Sequence, residues 1–359
     1  MRSLGDTIER LKRVRSSATV DVGLTRLERL EDRGANPGNL TGWYQAPKDT
    51  GLPVALVVVL HGCTQTAASY DAGSGWSKLA DDFGFGVLFP EQSRQNNPNL
   101  CFNWFSDGDI QRVGGEAHSI REMIDGMISD HGIDRSRVFI TGLSAGGAMA
   151  NAMLTAYPEV FAGGAIIAGL PYGIASTIPE AFDRMRGHAM PPRERLQELH
   201  RSASTHTGRW PTISVWHGTA DRTVDELNAR AIVDQWKTVH GVSGRPDRSD
   251  VVVGHEHHAW TNEAGIDAIE LYRIGGMGHG TPIDSLSGYG SQRPYMLNVG
   301  ISSTEIIARN WGLIASFERR AKPDRATSTT IQKPKDARTN SNSIQDVIES
   351  ALRSAGLMK

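Results

Sequence analysis

Apolar runs of strand length recur along the chain, each closed by glycine or turn residues. Residues 54–60, 86–89, 138–141, 164–168, 213–216 and 269–274 are such runs, rich in Val, Ile or Phe. Continuous apolar runs, as opposed to alternating ones, suit strands buried on both faces of a mainly parallel sheet. Amphipathic stretches lie between them. Residues 116–131 place Ile120, Met123, Ile124, Met127 and Ile128 on one helical face. Residues 145–157 follow the 138–141 run directly and stop before Pro158, and residues 225–240 carry Ile232, Val233 and Trp236. This alternation predicts an α/β fold with crossover helices.

The remaining segments are assigned by their lack of such periodicity. Residues 1–40 form a lead-in, polar and helix-like over 1–20, irregular with an early strand from 26 onward. Residues 41–320 carry the strand–helix alternation and are expected to form the catalytic domain. Within them, residues 175–210 are polar and proline-punctuated, which predicts an insertion near the mouth of a site. Residues 321–342 are polar and poor in aromatics, a composition that cannot bury a core and predicts a disordered linker. Over 343–359, Ser343 with Asp346 resembles a capping box, and Ile344, Val347, Ile348, Ala351, Leu352 and Ala355 share one face. That is an amphipathic helix, which either docks on its own domain or tethers the chain to a partner or an apolar surface.

Charge narrows the function classes. The net charge is -2, from 38 basic and 40 acidic residues, which gives no electrostatic case for nucleic-acid or membrane-surface binding. No apolar run approaches the ~20 residues that span a bilayer. The first fifteen residues are charged throughout and lack the apolar core of a signal peptide, so cytoplasmic residence, a leader upstream of Met1 and another export route all stay open.

The candidate chemistry begins at Gly142-Leu-Ser-Ala-Gly146, which matches Gly-x-Ser-x-Gly. A strand-like run precedes it and an apolar helix follows, the strand–turn–helix setting of a nucleophile elbow. Ser144 then stands at a helix N-terminus, where developing negative charge is favoured. A serine hydroxyl needs a base, and the base needs an orienting carboxylate. In the chain order Ser, acid, His, the candidates are Asp221, in Trp216-His-Gly-Thr-Ala-Asp221, and His279, in Gly276-Met-Gly-His279. Both follow strand-like runs, where α/β sheets collect reactive groups. Asp225 is the rival acid. His217 is read as structural or pocket-lining. His255, His257 and His258 lack the carboxylate pattern of a metal site, and the chemistry calls for no cofactor.

Acyl transfer also needs two donors for the oxyanion. The Ala145 N–H is one candidate, and the Cys63 N–H, in the loop after the 54–60 run, is the other. The two cysteines, Cys63 and Cys101, are either buried thiols or one disulfide between two loops, and spacing alone does not decide. Trp76, Trp104 and Trp260 are candidates to line an apolar substrate cleft, with core packing the competing reading for each.

Taken together, His61-Gly-Cys-Thr-Gln65, Pro90-Glu-Gln92, Cys101-Phe-Asn-Trp-Phe105, Gly142-Leu-Ser-Ala-Gly-Gly-Ala-Met149, Trp216-His-Gly-Thr-Ala-Asp221 and Gly276-Met-Gly-His-Gly-Thr-Pro282 resemble the polyhydroxybutyrate depolymerase family of esterases, with feruloyl and acetylxylan esterase relatives. The resemblance spans roughly residues 40–315. It implies an α/β-hydrolase fold, a Ser144–Asp221–His279 triad, a Cys63–Cys101 disulfide, and hydrolysis of polyester, oligomer or small esters. It also implies an extracellular location. Two features depart from the pattern. The N-terminus shows no leader, and the C-terminus offers a linker and a short helix where polymer-degrading members often carry a substrate-binding domain.

Overall fold

The computed structural model describes residues 26–31, 34–47 and 51–314. The polar lead-in over 1–20, the linker 321–342 and the helix 343–359 lie outside the described residues. In chain order the elements are β1 (Glu28–Arg29), β2 (Thr41–Gln45), β3 (Val54–Leu60), α1 (Ala67–Ser74), α2 (Trp76–Phe83), β4 (Gly86–Glu91), α3 (Asp107–Ile110), α4 (Gly115–Asp130), β5 (Ile133–Leu143), α5 (Ala145–Ala156), β6 (Gly163–Ile167), α6 (Ile178–Met185), α7 (Arg193–Ser202), β7 (Thr212–Gly218), α8 (Leu227–Lys237), β8 (Arg248–Val252), β9 (His255–Thr261), β10 (Asp267–Ile274), β11 (Thr281–Ile283), β12 (Met296–Asn298) and α9 (Ser303–Asn310).

Ten strands form one sheet in the order β1-β2-β4-β3-β5-β6-β7-β10-β9-β8, and β11 pairs with β12 apart from it. The middle of the sheet, from β4 to β10, is parallel throughout. Two antiparallel strands flank it on each edge. The sheet is therefore mixed: its parallel centre agrees with the mainly parallel sheet that the apolar runs predicted, and its edges add antiparallel strands. The central strands were visible because they are covered on both faces: every residue of Val-Ala-Leu-Val-Val-Val-Leu in β3 is buried. The edges were not. β8, Arg-Ser-Asp-Val-Val, is almost wholly exposed, as charged edge strands that discourage further pairing tend to be.

Side-chain alternation in β3 divides the core into two layers. Leu56, Val58 and Leu60 face a cluster with Ile120 and Ile124 of α4, Met149 and Met153 of α5, and Ile232 and Trp236 of α8. Val57 and Val59 face the opposite cluster, with Tyr70 of α1, Trp76 and Leu79 of α2, and Ile307 of α9. A third apolar cluster joins Trp104, Ala145, Leu170, Ile174, Leu196 and Val224, with Phe105, Met185 and Leu199 packed against it. The segment 175–210, expected as an insertion near the mouth of a site, holds α6 and α7. Its prolines fall at helix starts, Pro179 in the first turn of α6 and Pro192 as the cap of α7, where the missing N–H costs nothing.

Candidate active site

The turn between β5 and α5 contains one residue, Ser144, with φ 57° and ψ −119°. A non-glycine residue in this region is strained, and such strain concentrates at functional sites. The surroundings enforce it. Ser144 N–H donates to Ile167 O at 2.9 Å, and Ala148 N–H donates to Ser144 O at 2.8 Å. A Cβ on Gly142 would fall 2.3 Å from Gly146 O, and one on Gly146 would fall 2.4 Å from His61 O. The glycines at these positions let strand, turn and helix close on one another, leaving the serine side chain at the helix N-terminus.

Asp221 and His279 come from the loops after β7 and β10, neighbouring parallel strands in register Trp216↔Tyr272 to Gly218↔Ile274. The loops are bonded to each other: Thr219 N–H donates to Ile274 O at 3.0 Å, Ala220 N–H to Met277 O at 2.9 Å and Gly276 N–H to Thr219 Oγ1 at 2.9 Å. His279 Nδ1 lies 2.7 Å from Asp221 Oδ2, and its Nε2 lies 2.9 Å from Ser144 Oγ. With Nδ1–H donating to the carboxylate, Nε2 is left to accept from the serine. Asp221 Oδ1 accepts from the N–H groups of Thr223 (2.8 Å) and Val224 (3.0 Å). The Asp221 side chain is fully buried and that of His279 is 10% exposed. Burial alone would raise the Asp221 carboxyl. The hydrogen bond and charge of His279, with further help from His217 and the Val224 N–H, outweigh it and hold the group below the usual carboxylate range.

His217 lies behind the acid. Its Nε2 donates to Val224 O at 2.8 Å and sits 3.6 Å from Asp221 Oδ2. Burial is the largest influence on its pKa and lowers it, and its buried Nδ1 has no partner. The ring is fully buried and supports the acid loop; it does not line a pocket. Asp225, the rival acid, uses Oδ1 to accept from Leu227 N–H at 2.9 Å at the start of α8.

Opposite the serine, the loop after β3 carries Cys63, which is joined to Cys101 by a disulfide with Cα atoms 4.2 Å apart. Among the described residues neither the Cys63 N–H nor the Ala145 N–H donates to another backbone carbonyl outside regular structure. His61 fixes this loop. Its Nδ1 donates to Gly62 O at 2.8 Å, and its Nε2 accepts the Gln92 N–H at 3.1 Å. Burial lowers its pKa to about 4, which keeps that tautomer neutral. The Gln92 side chain donates to Cys101 O at 3.1 Å and to Glu116 Oε1 at 2.5 Å. Glu116 also accepts from Asn103 N–H at 2.9 Å and Asn103 Nδ2 at 2.7 Å. One buried polar network thus holds both ends of the disulfide.

Of the three candidate tryptophans, Trp104 packs in the apolar cluster with Ala145, the residue after Ser144, and Val224. Trp76 is 2% exposed and packs on Phe85 and Trp311. Trp260 is 5% exposed and lies under Lys237. Both pack within the two core layers, away from the cluster that holds Ala145. His257 sits between Asp250 (2.7 Å) and Glu270 (3.2 Å) as part of the β8–β9–β10 edge. Gln92, Asn103 and Glu116 received no individual role from the sequence, although Gln92 and Asn103 stand within quoted motifs.

A parallel-centred sheet flanked by helices, with Ser144, Asp221 and His279 brought together at its strand ends, is a fold of the α/β-hydrolase type. The chain belongs to the esterase PHB depolymerase family, whose profile matches residues 42–250. It is 44% identical over 292 residues to poly(3-hydroxyalkanoate) depolymerase C of Paucimonas lemoignei, covering 80% of this chain and 70% of that protein. Feruloyl esterase B of Talaromyces funiculosus is 28% identical over 267 residues, covering 72% and 74%. The solved acetyl xylan esterase from Aspergillus awamori shares the fold with a TM-score of 0.68 at 24% identity, over 80% of this chain and 99% of that one.

Proposed function

We propose that this esterase works through Ser144 and cleaves short-chain poly- or oligo(3-hydroxyalkanoate) esters by way of an acyl-enzyme. The observation that carries the reading is the single His279 ring within hydrogen-bond reach of both Ser144 Oγ and Asp221 Oδ2. His279 Nε2 takes the Ser144 proton as the hydroxyl attacks the ester carbonyl. Asp221 holds the ring in the right tautomer and stabilises its charged form. The N–H groups of Cys63 and Ala145 receive the oxyanion. The proton then passes to the leaving alcohol, and water activated by His279 releases the acid.

The substrate class is taken from the 44% identical depolymerase. A second reading, a feruloyl or acetylxylan esterase, has its support in the feruloyl esterase relative. Ser144→Ala is expected to remove hydrolysis of p-nitrophenyl butyrate by at least about a thousandfold with an unchanged circular-dichroism melt. Activity near that of the parent overturns the serine assignment. A side-by-side panel of 3-hydroxybutyrate oligomers, feruloylated sugars and acetylated xylo-oligosaccharides decides between the two substrate readings by kcat/KM.

A further inference from the structure

The loop that precedes β12 places a ring against His279, and that residue has an unusual backbone conformation. Tyr295 has φ +64°. Glycine adopts this conformation freely, whereas a bulky side chain does so under strain, and an outlier of that kind is a starting point for a functional hypothesis. The surroundings hold it in place. Thr281 N–H donates to Tyr295 O at 2.8 Å and Met296 N–H donates to Arg293 O at 2.9 Å. Met296 then pairs with Thr281 in the β11–β12 ribbon. On the other side, Pro294 O accepts from Gln65 Nε2 at 3.4 Å, and Gln65 Oε1 accepts the Gly62 N–H at 2.9 Å. Tyr295 is thus anchored to the chain just after His279 and, through Pro294, to the loop that carries Cys63.

Its ring meets the base. The Tyr295 and His279 ring centroids are 6.3 Å apart with planes at 82°, an edge-to-face pair. The ring is half-buried, and among the described residues its hydroxyl has no hydrogen-bond partner. In the proposed reaction His279 Nε2 hands its proton to the departing alcohol, and a half-buried ring against His279 is, unlike the buried Asp221, placed where the alcohol half of the ester can meet it. An aromatic wall with an uncommitted hydroxyl suits an alcohol that has an apolar backbone and one hydrogen-bond acceptor.

We propose that Tyr295 is a specificity-determining residue for the leaving group, its hydroxyl donating to a carbonyl oxygen on the alcohol side. In a 3-hydroxyalkanoate chain that carbonyl belongs to the adjoining ester unit. The inference rests on the assignment of His279 as proton carrier.

Two acetates separate the contributions: methyl (R)-3-acetoxybutyrate and (R)-2-butyl acetate, followed by acetate release. They share the acyl group and a secondary alcohol and differ in the carbonyl-bearing arm. The measured quantity is the ratio of their kcat/KM values, which does not depend on the fraction of folded enzyme. Tyr295→Phe is expected to lower the preference for the acetoxybutyrate about threefold to tenfold, the size of one neutral hydrogen bond. Tyr295→Leu is expected to lower it at least as far. A ratio unchanged in both variants, or an equal loss on both acetates, overturns the proposal. Ser144→Ala serves as the separate arm. Its retention of acetate release overturns the triad reading, whatever the Tyr295 ratio shows.

Discussion

The Gln92 N–H donates to His61 Nε2 at 3.1 Å across 31 positions of sequence, and through it the residue that follows β4 holds the loop that carries Cys63. His61 is fully buried and packs against Phe102 with ring centroids 5.0 Å apart. His61→Phe keeps a buried aromatic ring, somewhat larger than the imidazole, and removes both hydrogen bonds. Loss of one oxyanion donor costs about 10²–10³ in kcat elsewhere, and a displaced donor costs less. We therefore expect kcat to fall about 10- to 100-fold with KM within about twofold. Steady-state kinetics on p-nitrophenyl butyrate make the comparison, and a fall confined to KM contradicts the assigned role.

Asp221→Asn tests the acid. The asparagine keeps the volume but presents an amide that no longer fixes the His279 tautomer. A drop in kcat of about 10³- to 10⁴-fold is expected, with little change in the melting temperature. Loss of less than about tenfold points to Asp225 or another carboxylate as the true partner.

The disulfide ties two loops separated by 38 residues. Opening it by Cys101→Ser is expected to cost about 2–4 kcal/mol of stability. It also frees the Cys63 loop, so kcat is expected to fall more than the folded fraction does. Denaturant titration and active-site titration of the same preparation separate the two effects.

Stability is expected to depend on pH in two opposed windows. Burial, with Asp109 nearby, raises the Glu116 carboxyl from 4.5 to about 8. The folded state favours its protonated form, so its contribution is full below pH 4.5 and is lost as the pH rises to about 8. The buried histidines act in the other direction. Burial lowers His61 and His240 from 6.5 to about 4, and His200 to about 3. Their contribution is full above pH 6.5 and is lost as the pH falls through those values. The melting temperature is therefore expected to peak at about pH 7, where the three histidine contributions are nearly complete and the Glu116 contribution is still being lost. Glu116→Gln is expected to flatten the alkaline limb. His200, whose two ring nitrogens have no partner, is expected to flatten the acid limb when replaced by Leu. Melts from pH 4 to 9 that show unchanged limbs in both variants count against these assignments.

The sheet centre was legible in the sequence because strands covered on two faces are written as continuous apolar runs. Its edges were not: β9, His-Glu-His-His-Ala-Trp-Thr, alternates burial without looking apolar. Helix α1, Ala-Ala-Ser-Tyr-Asp-Ala-Gly-Ser, has no apolar stripe and depends on the Thr66–Ser69 capping box. Ser144, Asp221 and His279 stood out because each follows a recognisable strand and lies among glycines. The network behind them was hidden for a different reason. Gln92 and Glu116 are 24 residues apart, and nothing local marks two polar residues that will be buried against each other. Tryptophans were legible as apolar residues only, which is why Trp76 and Trp260 looked as suitable for a cleft as Trp104.

The pairing of β7 with β10 has a consequence for folding. The loops bearing Asp221 and His279 leave adjacent strands at matched heights, Gly218 beside Ile274. A slip of one residue would displace one loop by about 3.3 Å and turn every side chain of the slipped strand to the opposite face. The distance from carboxylate to imidazole would then exceed hydrogen-bond reach. Under the proposed roles of Asp221 and His279, turnover reports on strand register: a molecule that hydrolyses esters has aligned this pair correctly. Activity recovered on refolding therefore counts correctly registered sheets, which bulk secondary-structure signals cannot distinguish from slipped ones.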